Sequence, residues 1–204
     1  MKPTIVIATR NRHKLRELRQ LLGGVAARFA SLRDFPSVPS AGEDGRSFDA
    51  NAAQKARIAA RATGHVAIAD DSGLEVTALG GRPGIRSARF AGVRATDAQN
   101  NRKLLRLLRG VAPSQRGARY RCSLAVATPA GRVWTVRGLW RGRIAARARG
   151  RSGFGYDPLF ELPRYRRTVA QLGVRLKQRL SHRAQAARKA RRVLRRLMQR
   201  SPRC

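Results

Sequence analysis

Asp70 and Asp71 are the side chains of this sequence best placed to do chemistry. They stand side by side in Ala69-Asp70-Asp71-Ser72-Gly73, after the apolar run Val66-Ala67-Ile68, which reads as a strand. The chain has 11 Asp and Glu against 45 Lys and Arg, so a carboxylate pair at a strand's end stands out. Adjacent carboxylates repel, and a cation settles them. At a strand end feeding a Gly turn, the expected cation is Mg²⁺ arriving with a phosphorylated substrate. One carboxylate would hold the ion and polarise a water, as in-line hydrolysis of a phosphoanhydride requires. The competing description of the dipeptide alone is a solvated turn.

Three further constellations bear on that choice. Thr9-Arg10-Asn11-Arg12-His13-Lys14 falls between a first strand and a first helix. Such a junction exposes backbone N–H groups and a positive helix end to an anion. Thr9 and Asn11 can add side-chain hydrogen bonds, and Lys14 can meet a phosphate oxygen. The segment has neither the glycines nor the spacing of a Walker loop. Gly153-Phe154-Gly155-Tyr156-Asp157-Pro158 flanks an aromatic ring with glycines, so Phe154 could stack on a flat base or plug the core. Lys177 and Ser181-His182-Arg183 bring donors to the start of a last helix; such a pair is also common on surfaces.

The elements that must position these residues follow from periodicity and punctuation. Thr4–Ala8 reads as a buried strand, and Arg12–Leu22 as a helix with Leu15, Leu18, Leu21 and Leu22 on one face, stopped by Gly23-Gly24. Residues 36–45 form a Pro/Ser/Gly loop. An Ala-rich helix runs from about Asp49 to Ala62, and Val66–Ala69 is the strand delivering the carboxylates. Gly80 to Gly84 is a turn-rich loop. Asp97 is expected to cap a helix reaching Leu108, with Leu104, Leu105 and Leu108 inward. Tyr120, Cys122, Leu124 and Val126 alternate as a strand, Pro129-Ala130-Gly131 turns, and Val133–Trp140 returns. Ser181 opens a last helix with Ala187, Ala190, Val193, Leu194, Leu197 and Met198 as its apolar stripe.

Composition sets the limits. A chain of 204 residues, 42% hydrophobic, is one domain or two lobes around a cleft. No apolar run spans a bilayer, and the N-terminal apolar stretch is too short for a signal peptide. Cys122 and Cys204 give neither a disulfide framework nor metal spacing, so a cytoplasmic protein is expected. The net charge of +34 suits nucleic acid or another polyanion. Yet Arg outnumbers Lys 39 to 6 and is spread along the chain, a pattern that GC-rich codons also produce. Non-specific, salt-sensitive polyanion association is expected rather than specific recognition.

Taken in order, the blocks resemble the inosine triphosphate pyrophosphatase family. They are Ala8-Thr9-Arg10-Asn11 with Lys14 and Glu17, Ser47-Phe48 with Asn51-Ala52 and Lys55-Ala56, and Ala69 to Leu74. Pro83-Gly84-Ile85 with Ser87-Ala88-Arg89, Ala95-Thr96-Asp97 with Asn100, Gly153 to Pro158, and Ser181-His182-Arg183 complete them. The resemblance covers Thr4 to about Leu197. It implies an α/β fold with a long mixed central sheet flanked by helices, and two lobes around a substrate cleft. It implies a single domain over residues 1–200, with a short tail at 201–204, and a homodimer. The implied activity is Mg²⁺-dependent hydrolysis of purine nucleoside triphosphates such as ITP, dITP and XTP to the monophosphate and pyrophosphate. Thr9, Arg10, Asn11, Arg12, His13 and Lys14 would grip the triphosphate. Asp71 would be general base and metal ligand, with Asp70 as a second metal ligand. Ser72 would touch substrate, Phe154, Gly155, Tyr156 and Asp157 would frame the base, and Lys177 would bind substrate. His182 and Arg183 would read the purine edge. The sequence departs from the family at Ala50 and Gln171, where Glu is usual, and at Gly173-Val174-Arg175-Leu176, often acidic. Weakened activity or a differently held metal is one implication of these departures.

Overall fold

The computed structural model describes residues 2–42 and 45–200; the expected tail at 201–204 and Cys204 lie outside the described residues, as do Glu43 and Asp44 of the 36–45 loop. A seven-stranded mixed sheet has the order β2-β1-β3-β4-β5-β6-β7. Its strands are β1 (Thr4–Ile7), β2 (Arg28–Ser31), β3 (Val66–Val76), β4 (Gly117–Ala127), β5 (Val133–Ile144), β6 (Phe160–Leu162) and β7 (Arg167–Thr168). β1 runs parallel to β2 and β3, with Ile5 opposite Phe29 and Val66. β6 is antiparallel to β5 and β7. The helices are α1 (Arg12–Leu21), α2 (Phe48–Thr63), α3 (Asp97–Leu107), α4 (Val169–Leu180) and α5 (His182–Arg200). Among the described residues, no helix is long and apolar enough to cross a membrane.

The chain divides into two compact units. Of the described residues, the first comprises 2–42, 45–71, 122–138 and 183–200, and the second 72–121 and 139–182. In the first unit, β1 is buried on both faces, the condition under which a parallel strand reads as an unbroken apolar run. Successive strand residues point to opposite faces. Ile5, Ile7 and Ile68 therefore pack with Leu18 of α1, with Leu22 just after it, and with Ala187, Ala190 and Leu194 of α5. Val6, Ala67 and Ala69 meet Ala52, Ala56, Ala59 and Ala60 of α2. Small residues on both sides let α2 lie close to the sheet. Each large side chain of the first cluster contributes about 1.5–3 kcal/mol on burial. Asn11 caps α1, accepting the N–H groups of His13 and Lys14, and Ser47 caps α2. On α5, Ala187, Ala190 and Leu194 of the expected stripe are fully buried, and Val193, Leu197 and Met198 are partly so.

In the second unit, Leu104 and Leu108 of the α3 segment pack with Leu74, Val76, Tyr120, Trp140, Tyr156 and Phe160. Leu105 is only partly buried. Thr96, not Asp97, caps α3: its hydroxyl accepts from Gln99, whose side chain returns to the Thr96 N–H. That reciprocal box satisfies two helix-end donors, which Asp97 at the first helical position could not do. β2, β6, β7 and α4 were not expected from periodicity. β6 and β7 are very short, and α4 is interrupted at Gly173, whose φ of 75° is left-handed. All nine acidic side chains among the described residues are engaged. Glu17, Asp49, Asp70, Asp71, Glu75, Asp157 and Glu161 pair with cations, and Asp34 and Asp97 accept backbone N–H groups.

Candidate active site

β3 does not stop before its carboxylates. Asp70 and Asp71 lie inside the strand, which continues to Val76, and this corrects the expected strand end. The alternation of a strand then sends the two side chains to opposite faces. They are not a repelling dyad, and each finds separate partners. Asp70, on the Ile68 face, is 2% exposed. Its Oδ1 meets Lys14 Nζ at 2.5 Å, and its Oδ2 accepts from Arg183 Nε at 2.9 Å and Cys122 Sγ at 3.1 Å. Arg183, 2% exposed, also donates from Nη1 to Glu17 at 2.6 Å. Burial pushes the Asp70 carboxyl up, but Arg183 and Lys14 outweigh it and hold it well below the usual carboxylate range. Burial and the Asp70 charge keep the Cys122 thiol protonated, with its pKa well above the usual range.

Asp71 faces α2. Its Oδ1 meets Lys55 Nζ and its Oδ2 accepts from Asn51 Nδ2, both at 3.0 Å. Here burial prevails: the carboxyl rises above its usual value despite Lys55 and Lys14. Asn51 is fully buried, and its Oδ1 has no hydrogen-bond partner. Each oxygen of an ionised carboxylate has two lone pairs, so Asp71 retains capacity to accept a proton. A buried carboxylate with raised proton affinity, beside two ammonium groups, suits a general base near bound phosphate.

The Thr9–Lys14 junction is more self-contained than its sequence suggests. Thr9 Oγ1 accepts the Asn11 N–H, and Asn11 Oδ1 takes two helix-end donors. Arg10 donates to the Val38 carbonyl, and Arg12 and His13 are exposed. Lys14 remains the charge aimed at the β3 carboxylates. Ser72, next along β3, is half-buried.

In the second unit, Asp157 is the centre of a separate cluster. It pairs with Lys177 Nζ at 2.6 Å, accepts the Phe154 N–H at 3.0 Å and meets Tyr120 Oη at 3.4 Å. Lys177 Nζ lies 4.5 Å above the centre of the half-buried Phe154 ring. A Cβ at Gly153, where φ is +86°, would come within 2.1 Å of Asp157 Oδ2, so only glycine fits. Gly155 is fixed through its N–H to Asp97 and its carbonyl to Asn101. His182, 4% exposed, stacks on Tyr120 at 4.6 Å and 11°.

The geometry fixes the surroundings of three expected site residues. Tyr156 is a core residue whose hydroxyl donates to the Ser87 carbonyl at 2.8 Å. Arg183 makes two ion pairs in the first unit, with Glu17 and Asp70, and these fix its guanidinium beside β3. Asp70 is surrounded by cationic and thiol donors, and a metal ion there would have to displace them. The sequence also understated Lys55 and Asn51, present in a recognised block without a role. Their i, i+4 spacing on one helix, opposite a strand carboxylate, was the available signal.

Among the described residues, no group of three or more His, Cys, Asp or Glu could hold a metal. Ala50 is exposed, and the Asp49 carboxylate is taken by Ser123 Oγ and Arg137 Nε. One carboxylate, Asp71, and the orphaned Asn51 Oδ1 are hard oxygen donors, the type Mg²⁺ prefers. That set fits an ion brought with phosphate oxygens, not one held by protein alone.

Comparison with known proteins follows the same lines. The profile described as the Ham1 family matches residues 5–193. A dITP/XTP pyrophosphatase of Desulforamulus reducens is 48% identical over 193 residues, covering 95% of this chain and 96% of that protein. One from Geobacillus kaustophilus is 49% identical over 182 residues, covering 89% of each. The solved structure of a HAM1 protein from Coxiella burnetii superposes with a TM-score of 0.86 at 41% identity, over 94% of this chain and 98% of that one.

Proposed function

This chain belongs to the Ham1 family, and we propose that it hydrolyses the non-standard purine nucleoside triphosphates ITP, dITP and XTP to the monophosphate and pyrophosphate. The observation that carries the reading is the division of labour on β3. Asp71 has proton affinity raised by burial, while Asp70 is held ionised as an anchor for Lys14 and Arg183.

In this reading Asp71 accepts the proton of a water attacking the α-phosphate, and pyrophosphate leaves in line. Lys14 and Lys55 stand on either side of the reacting charge and exchange part of their carboxylate contact for phosphate oxygens. The Asp70–Arg183–Glu17 chain keeps Lys14 on the correct side of the strand. Asn51 fixes the plane of the Asp71 carboxylate. Mg²⁺ brought by the nucleotide would be held by Asp71 and Asn51 Oδ1, and when bound it neutralises triphosphate charge. In the second unit, Phe154 and Lys177 offer a ring face and a cation, and His182 offers a donor on a ring fixed by Tyr120. A 6-oxo purine accepts such a donor, whereas adenine presents a donor of its own at that edge. Ser72, Thr9 and Asn11 remain substrate contacts in this reading. A homodimer in the cytoplasm is part of it, supported by the family resemblance.

The test is pyrophosphate release from ITP, dITP, XTP and ATP with and without Mg²⁺. A site built around the 6-oxo hydrogen bond is expected to favour ITP over ATP in kcat/KM by on the order of 10⁴. Values within tenfold of one another would defeat the reading.

A further inference from the structure

The second unit holds a concavity of about 850 Å³ that includes none of the residues assigned to the reaction. Gln99, Arg102, Lys103, Arg106, Arg109 and Arg116 line it, together with small and apolar residues and no acid. Gln99, Arg102, Lys103 and Arg106 follow the i, i+3, i+4, i+7 pattern, so one side of α3 points their side chains the same way. Leu104 and Leu108 fix that orientation from the buried side.

Two of the cations are anchored. Lys103 Nζ donates to the Phe90 carbonyl at 2.5 Å and lies 4.8 Å above the Phe90 ring. Arg116 donates to the Leu108 and Val111 carbonyls, both at 2.9 Å, and its Nη1 is buried with no hydrogen-bond partner. Arg102, Arg106 and Arg109 are exposed around them. Five positive charges converging on one hollow, two of them fixed, differ from arginines scattered on a convex surface.

We propose that this hollow is a second, non-catalytic site for a polyphosphate. Three features select that ligand. The volume lies in the range of small-ligand pockets. Planar guanidinium forks match phosphate oxygens in pairs. A compact ligand of charge near −4 matches five cations gathered in a hollow, whereas a nucleic-acid backbone needs a stripe of spaced contacts. A free polyphosphate and the phosphates of a nucleotide share this chemistry.

The experiment titrates the full chain with inorganic tripolyphosphate by calorimetry. It compares wild type with Arg102→Gln/Arg106→Gln/Arg109→Gln and with a charge-matched control on α5, Arg188→Gln/Arg192→Gln/Arg196→Gln. The α3 variant should lose one equivalent of tripolyphosphate, through an affinity loss of on the order of 30-fold, about threefold per exposed contact. Its melting temperature and ITP turnover should match wild type, and the α5 control should keep wild-type stoichiometry. Repeating the titration with pyrophosphate and with ATP distinguishes an inorganic ligand from a nucleotide. Equal losses in both variants would show diffuse charge and overturn the site. So would an α3 variant that loses less than threefold, or one that loses binding of an RNA duplex while keeping tripolyphosphate. ITP turnover is read separately, so failure here leaves the proposed hydrolysis standing, and the converse holds.

Discussion

Replacing Asp70 with Asn tests whether this carboxylate anchors cations or holds metal. The change keeps the size of the side chain and removes its charge. Arg183, 2% exposed, would then lose its ion pair at 2.9 Å while keeping the one to Glu17, and Lys14 would lose its contact at 2.5 Å. Breaking a buried ion pair from one side costs about 3–5 kcal/mol. Asn still accepts a hydrogen bond, so we expect the lower end, about 3 kcal/mol at pH 7. For a chain of this size that is a fall in Tm of about 6–12 °C. The folded-state pKa of Asp70 is depressed, so its contribution is complete above the unfolded-state pKa of about 3.9 and is lost as pH falls through the lower folded value. The gap between wild type and variant should therefore narrow below about pH 4. Thermal melts of wild type, Asp70→Asn, Arg183→Met and the double variant form a cycle with expected coupling of about 2 kcal/mol or more. For activity, kcat should fall while the Mg²⁺ concentration giving half-maximal rate stays put. A cost under about 1 kcal/mol, additivity within about 0.5 kcal/mol, or a marked shift in Mg²⁺ requirement would refute the anchoring argument.

Asp71→Asn should fold normally and lose ITP turnover by at least about 10²-fold, because Asn accepts no proton; kinetics beside a thermal melt check it. Lys55→Gln removes a charge that lowers the Asp71 pKa, so the acidic limb of kcat/KM against pH should move to higher pH. Gly153→Ala should cost about 2–4 kcal/mol in urea denaturation, since Ala at φ +86° is strained and its Cβ would strike Asp157, which Lys177 holds in place.

Much of the first unit was legible in the sequence because its elements obey simple periods. β1, α1, α2 and the stripe of α5 were all readable from apolar spacing. So was the adjacency of two rare carboxylates, but its meaning was not. At a strand's end Asp70 and Asp71 would be neighbours in space, whereas a strand that continues makes them occupants of opposite faces. The signal was present: Ile68 and Ala67/Ala69 already mark one face as roomy and the other as tight, and Asp70 and Asp71 extend that alternation. The partners were out of reach because Glu17, Cys122 and Arg183 come from distant segments. Tyr156 and Arg183 illustrate the same limit. Residue type pointed to a ligand contact and gave no sign of the tertiary partners, Ser87 for Tyr156 and Asp70 and Glu17 for Arg183. β6 and β7 carry too few residues to show a period, and Gly173 breaks the one that would have revealed α4.

Eleven acids cannot balance 45 Lys and Arg, even where Asp49 holds the exposed Arg137 and Glu75 the exposed Arg119. A protein held together by surface ion pairs loosens when salt screens them. This one should do the reverse. Raising ionic strength from about 0.01 M to about 0.15 M shortens the Debye length from about 30 Å to about 8 Å. That quiets mutual repulsion among the exposed guanidinium groups and leaves buried pairs such as Asp70–Arg183 largely untouched. Dilute buffer is then the hostile medium for this molecule, and the anions of a crowded ionic solution complete its charge balance from outside.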